Sequence, residues 1–206
     1  MRYKYHIRDI QRVHQGRFAV DRLVVDHDRF DGTQAQGVVR EVFDRGNSVA
    51  VMLYDPLADA LVWVEQFRAG LAAAEKLNPW SLEPVAGSLE GPDDDPLQRI
   101  RAECQEEIGA VPSDLFKISG FYPSPGACSE YIHMFFGLID STTVGQHGGL
   151  REHHEDIRVR VVPYWQSVTL LDSGTLTSGP AVAGMLWLMA NRGKINTMTG
   201  RSDVTP

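Results

Sequence analysis

Two cysteines, Cys104 and Cys128, are too few for a disulfide framework in a chain of 206 residues. Long apolar runs are missing too. The most apolar stretch, Val49 to Phe67, is broken by Asp55, Asp59 and Glu65 and cannot span a bilayer. No apolar stretch follows the opening Met-Arg-Tyr-Lys-Tyr-His, so no secretory signal is expected and the default address is the cytoplasm. Positive charge is also short: 20 basic against 27 acidic side chains leave a net charge of -7. That balance argues against a general phosphate-binding surface for nucleic acid. Acidic residues can still face a polyanionic substrate if divalent cations lie between them. The chain has no internal repeat, no low-complexity tract and no linker rich in Ser or Gly. What remains is ordinary for a globular protein, 43% hydrophobic and 23% charged. The length suffices for one good-sized domain plus an accessory element.

Residues 17–30 carry a strand-like run (Phe18, Val20, Leu23, Val24, Val25), Asp31-Gly32 is a turn signal, and Val38 to Phe43 is the expected return strand. This opening segment is β-rich, short and weakly apolar. It is expected to pack on the main body or on a second subunit rather than stand alone. Beyond it, Val49–Tyr54 and Ala60–Phe67 are expected strands joined by the turn-forming Asp55–Asp59. Ser81–Ala86 is a short strand candidate, and further strands are expected at Phe116–Phe121, Tyr131–Ile139 and Ile157–Val162. Helices are expected at about Tyr164 to Asp172 and from Pro180 to Arg192, with Gly193 as the stop. Strands interleaved with helices argue for a mixed sheet covered on both faces.

One helix has legible ends. Asp95 is a good N-cap, Pro96 suits the first helical position, Gln98 completes a capping-box-like pattern, and Gly109 supplies the stop. Leu97, Ile100, Cys104 and Ile108 form an apolar stripe on it. Glu103, Glu106 and Glu107, at i, i+3 and i+4, project together from a neighbouring face. Three like charges on one turn repel by a few tenths of a kcal/mol per pair, and the dipole disfavours anions near a helix C-terminus. Taken alone, such glutamates read as a solvated face. A divalent cation gives a reason for the crowding, because Mg²⁺ takes hard oxygen ligands and is commonly shared between carboxylates and substrate phosphates.

The stretch from Gly87 to Gly109, ending Ala102-Glu103-Cys104-Gln105-Glu106-Glu107-Ile108-Gly109, resembles the Nudix box, a glycine-led loop and helix ending Arg-Glu-x-x-Glu-Glu-x-Gly. It departs from the pattern in three ways. The stretch between Gly87 and Glu103 is one residue longer, Asp93 stands roughly where the loop glutamate belongs, and Ala102 replaces an arginine that orients the glutamates. Arg99, four residues before Glu103, is one candidate to take over that pairing; Arg101 is the other. Further stretches are similar to the ADP-ribose pyrophosphatase branch: Arg40–Gly46, Val64–Arg68, Leu82–Gly87, Ser124-Pro125-Gly126 and Glu155–Val159. The similarity spans roughly residues 15–195.

The resemblance implies an α/β Nudix fold, a mixed β-sheet sandwiched between helices, with a small N-terminal antiparallel β-element. Residues 1–45 would be that element, forming a homodimer as in the branch, and residues 46–200 the hydrolase domain. By resemblance, the Ala86 carbonyl, Glu103, Glu107 and Glu155 would ligate Mg²⁺, with Mn²⁺ as a substitute, and Glu106 would stand beside them. Arg68 would contact the diphosphate, Arg40 the adenosine end, and Glu130, after the Ser124–Gly126 turn, the terminal ribose. The glycine-containing run Gly145–Glu155 reads as a mobile loop. It offers His153, Glu152 and Glu155 as candidates for activating water, and Glu155 is the preferred one. The implied reaction is hydrolysis of the pyrophosphate of ADP-ribose to AMP and ribose 5-phosphate. Two alternatives stand beside it. One is another nucleoside diphosphate sugar such as GDP-mannose, whose branch Asp44–Asn47 and Glu130–His133 also resemble. The other is a non-catalytic nucleotide-sensing module, against which stand the retained glutamates and the lack of a helix-turn-helix candidate.

Overall fold

Apolar residues on either side of the turn at Asp31-Gly32 fold the start of the chain into an antiparallel meander. Its strands are β1 (Tyr5–Gln15), β2 (Ala19–Asp28) and β3 (Gln34–Asp44), in spatial order β1-β2-β3. The computed structural model describes residues 3–75, 78–91 and 93–200, and of His153 the backbone only. Two units emerge: residues up to Asn47 with Phe121–Ile132, and Ser48–Gly120 with His133 onward.

In the first unit the turn is built as read. Asp31 Oδ1 accepts the Thr33 N–H at 2.9 Å, and Gly32 takes φ +85°. A register break after Val25 is matched by Gly37 at φ +61°, whose N–H donates to Asp26 Oδ1 at 2.8 Å. The segment from Phe121 to Ile132 joins the end of β3 through Phe43 N–H to Ala127 O, 2.7 Å, and Ser129 N–H to Phe43 O, 3.1 Å. Strand β1 escaped the sequence reading. It is exposed along its whole length and breaks register twice against β2, so its apolar residues never settle into a clean period of two.

The second unit is built around β4 (Ser48–Asp55) and β5 (Ala60–Phe67). All eight residues of β4 are buried, as expected of a strand covered on both faces. A short helix α1 (Ala69–Ala73) follows, then β6 (Trp80–Glu83) and β7 (Val85–Ser88). These two replace the single strand expected over Ser81–Ala86. Pro84, which has no N–H to donate, divides them: β6 pairs with β5 and β7 with β4. After α2 (Pro96–Ile108) come β8 (Asp114–Phe121), β9 (Ile132–Leu138), the two-residue β10 (His147–Gly148) and β11 (Ile157–Pro163). The sheet runs β10-β11-β5-β4-β9-β8. Two helices follow, α3 (Tyr164–Asp172) and α4 (Gly179–Thr199).

The two faces of β4 separate the layers. Val49, Val51 and Leu53 join Val62 and Val64 of β5 against Ile100, Cys104 and Ile108 of α2. Leu97, expected in that stripe, sits in the first turn and is largely exposed. On the other face Gly184 of α4 abuts Met52 and Met134, Trp187 packs on Phe136, and Trp63 Nε1 donates to Ser167 Oγ of α3 at 3.1 Å. The fold is thus α/β with the sheet between helices. Helix α4 overruns its expected stop: Gly193 lies inside it, and the left-handed residue that ends it is Gly200 at φ +70°. A mid-helix glycine costs about 1 kcal/mol, and burial of Ile195 in the following turn offsets that.

Candidate active site

Helix α2 starts and stops where its sequence indicates. Asp95 accepts the Leu97 N–H at 2.9 Å, and Gly109 at φ +71° donates back to Gln105 O. With those ends fixed, Glu103 and Glu107 share the helix face turned toward β7 and are only 5% exposed each, while Glu106 is half-buried. The approach is very close. A Cβ on Gly87 would overlap the Glu103 carboxyl, and one on Gly148 would overlap the backbone carbonyl of Glu107. At residue 148, where the overlap is with backbone, only glycine fits; at residue 87 a larger residue would displace the Glu103 carboxyl.

Burial pushes the Glu107 carboxyl up to about 8, and the charges of Glu103 and Glu155 add to the push. The Ala86 N–H, 3.3 Å from Glu107 Oε2, and the charge of Arg68 act the other way. Glu103 is likewise raised by burial. Its ion pair with Arg99 counters the rise, while Glu106 and Glu155 reinforce it. Glu155 therefore acts as a like charge on both buried carboxyls, joined by Glu106 at Glu103 and by Glu103 at Glu107. The buried thiol of Cys104, pushed to about 12 by burial and by Glu107 and Glu103, stays protonated and offers no thiolate.

Glu155 stands at the end of the loop that runs from Gly145 through β10. That loop is docked rather than free. Gly145 N–H donates to Ile108 O at 2.8 Å and Gly149 N–H to Glu106 O at 3.0 Å, satisfying carbonyls at the end of α2. The loop, expected to be mobile, contains β10 and a 3-10 turn, Arg151–His153. The Glu155 carboxylate accepts the Leu150 N–H at 3.1 Å. Glu152 is exposed in the 3-10 turn, and the side chain of His153 lies outside the described residues. A cleft of about 320 Å³ opens beside this loop, lined by Glu65, Asn78, Trp80, His147, Asp156 and Arg158.

Arg68, expected at the diphosphate, is held by Glu83 through Nη2 at 2.7 Å and Nε at 3.1 Å. The sequence reading gave Glu83 no role, although it stands in the quoted Leu82–Gly87 stretch. The missing box arginine has a stand-in: Arg99, not Arg101, pairs with Glu103 and lies 3.8 Å from Glu106. In the loop ahead of α2, Asp94 rather than Asp93 does the closing, accepting the N–H groups of Glu90 and Gly91.

Four other candidates belong to the first unit. Arg40 is exposed on β3 and donates to its neighbour's carbonyl, Val39 O. Ser124 O accepts the Ala127 and Cys128 N–H groups in a turn that includes Gly126. Glu130 is buried and paired with Arg45 at 2.9 Å.

Carboxylate and carbonyl oxygens are the donor set of Mg²⁺, Mn²⁺ or Ca²⁺. Among the described residues no three acidic, His or Cys side chains already stand close enough to share an ion. The fit is therefore one of donor chemistry. Two carboxyls raised chiefly by burial, with the charge of Glu155 adding to both, are what a divalent cation would relieve. Among the described residues no helix is long and apolar enough to cross a membrane.

No family model matches the chain. A protein of Haemophilus influenzae named ADP-ribose pyrophosphatase is 35% identical over 197 residues, covering 93% of this chain and 89% of that protein. A GDP-mannose pyrophosphatase of Escherichia coli is 30% identical over 175 residues, 84% of this chain and 89% of that one. A crystal structure of an ADP compounds hydrolase matches over 97% of both chains with a TM-score of 0.69 at 18% identity, a likeness of fold. With its boxed glutamates on α2 and such identity across nearly the whole length of both proteins, the chain belongs to the ADP-ribose pyrophosphatase branch of the Nudix hydrolases.

Proposed function

We propose that the protein hydrolyses the pyrophosphate bond of ADP-ribose to AMP and ribose 5-phosphate with Mg²⁺, Mn²⁺ being able to replace it. The observation that carries this reading is the pair of buried carboxyls, Glu103 and Glu107, on the face of α2 turned toward β7, with Glu155 acting on both as a like charge, in a chain 35% identical to a protein named ADP-ribose pyrophosphatase. Glu103, Glu107, Glu155 and the Ala86 carbonyl would hold the cation, with Glu106 beside them. Bound there, Mg²⁺ would neutralise diphosphate charge and make an attacking water more acidic.

The protein's own groups do the rest. Glu155 takes the proton of the water, assisted by His153 or Glu152. The water oxygen bonds to phosphorus, and the bridging oxygen leaves with the other phosphate. Arg68, pre-set by Glu83, contacts the diphosphate. Arg40 would meet the adenosine end, and Glu130 the terminal ribose beside Ser124 and Gly126. Residues 1–45 are proposed as the dimer-forming element and 46–200 as the hydrolase domain. In support, Tyr5, Ile10 and Val13 stay exposed on β1, an apolar surface that a second subunit would cover. The proposed partners are this second copy and a nucleotide sugar, with no nucleic acid, in the cytoplasm.

A panel of nucleoside diphosphate sugars with Mg²⁺, read by product identification, tests the proposal. ADP-ribose should give AMP and ribose 5-phosphate, and EDTA should stop the reaction. A higher kcat/KM for GDP-mannose would replace the substrate, a second reading favoured by the 30% identity to GDP-mannose pyrophosphatase.

A further inference from the structure

The carboxylate of Glu103 occupies the space above the α-carbon of Gly87, where any side chain on residue 87 would collide with it. Holding it there has an electrostatic cost, because Glu106 and Glu155 both act on it as like charges. The counterweight is one guanidinium. Arg99, one helical turn earlier, donates through Nη2 to Glu103 Oε1, and the same nitrogen stands 3.8 Å from Glu106 Oε2. Ala102, directly before Glu103, has no polar group to offer, and Arg101 forms no ion pair among the described residues. Arg68, the cation acting on Glu107, is committed to Glu83.

We infer that Arg99 is the positioning residue of the cation site: it fixes the Glu103 carboxylate over Gly87 and spans to Glu106, so that the oxygen donors are oriented before a cation arrives. This rests on the proposed metal-dependent reading of the cluster. The spacing is the one at which helical side chains meet, i and i+4. A planar guanidinium can serve two carboxylates at once, whereas an ammonium is a single point charge. Partners that orient metal ligands in this way are typically worth about 10–100-fold in affinity or activity.

The test measures Mn²⁺ binding by electron paramagnetic resonance to the substrate-free full chain. It compares wild type, Arg99→Ala, Arg99→Lys and the double variant Arg99→Ala/Ala102→Arg, with kcat and KM measured alongside. Arg99→Ala should weaken Mn²⁺ binding by about 10–100-fold. It should also lower kcat while leaving KM for ADP-ribose within about twofold, because a loss confined to kcat marks a misplaced reacting group. Arg99→Lys should fall between, and Ala102→Arg should restore part of both losses. Equal or tighter Mn²⁺ binding in Arg99→Ala would mean that the arginine is a rival counter-ion, and the inference would be overturned. If Arg99→Ala does not fold, Arg99→Lys decides: unchanged binding and kcat overturn the inference as well. Mn²⁺ binding involves no ADP-ribose, so an inactive wild type would sink the proposed substrate and leave this question to the binding data.

Discussion

Glu107 can be made to report on the cluster without any substrate. Its carboxyl rises from an ordinary 4.5 to about 8, chiefly through burial. At about 1.4 kcal/mol per pH unit, that rise has a ceiling of roughly 5 kcal/mol. Below pH 4.5 the folded and unfolded chains both hold the proton, and the group costs nothing. Between 4.5 and 8 the unfolded chain gives the proton up while the folded one keeps it, so metal-free stability declines as pH rises. Above 8 the whole penalty is in place. Glu107→Gln removes the charge yet keeps an oxygen that can accept the Ala86 N–H. Thermal unfolding in EDTA should therefore show the two proteins nearly equal near pH 4.5 and the variant ahead at pH 9. For a chain of this size each kcal/mol moves Tm by about 2–4 °C, so even half the ceiling is a gap of several degrees. Adding Mg²⁺ at pH 9 should raise the Tm of wild type and leave the variant nearly where it was. A variant less stable than wild type at every pH would refute the reasoning, since Glu107 would then be a structural acceptor and not a confined charge.

Two further outcomes are expected. Asp55 accepts four hydrogen bonds, from Leu57 N, Ala58 N, Ser141 N and Ser141 Oγ, so Asp55→Ala should cost about 3 kcal/mol in urea unfolding. Burial alone would raise its carboxyl, but those bonds outweigh burial and hold it below 3.8; its stabilisation should therefore persist to that pH and be lost only in stronger acid, a loss absent from the variant. In the loop after β10, Glu155→Gln should abolish turnover while His153→Ala costs about tenfold; an active Glu155→Gln enzyme beside a dead His153→Ala would reverse the assignment.

Features governed by neighbours in sequence were legible, and those governed by neighbours in space were not. Asp95, Pro96 and Gly109 mark the ends of α2 through their own caps, so its bounds could be read directly. The apolar runs of β4 and β5 announced strands, and their interleaving with helices a sheet covered on both faces. Strand β1 could not be read, because its partner β2 holds it through backbone pairing without burying its side chains. Gly193 looked like a helix stop because glycine usually is one; the burial of Ile195 that carries α4 past it is a tertiary fact. At the site, spacing placed Glu103, Glu106 and Glu107 together, but only the packing of β7 distinguishes the two buried glutamates from the half-buried one. The pairing of Arg68 with Glu83 likewise depends on β6 lying beside β5, in a register that the break at Pro84 helps to set.

The amides of Gly145 and Gly149 end on the carbonyls of Ile108 and Glu106. The loop that carries Glu155 and the last turn of the helix that carries Glu107 are therefore stitched to one another. Whatever holds the loop down also holds the helix end; if the proposed cation binds there and favours this docked arrangement, thermodynamic reciprocity requires docking to tighten the cation by the same factor. The proposed proton acceptor and the proposed cation ligands would then come into register as one event, so that Glu155 would not be presented to a half-built site.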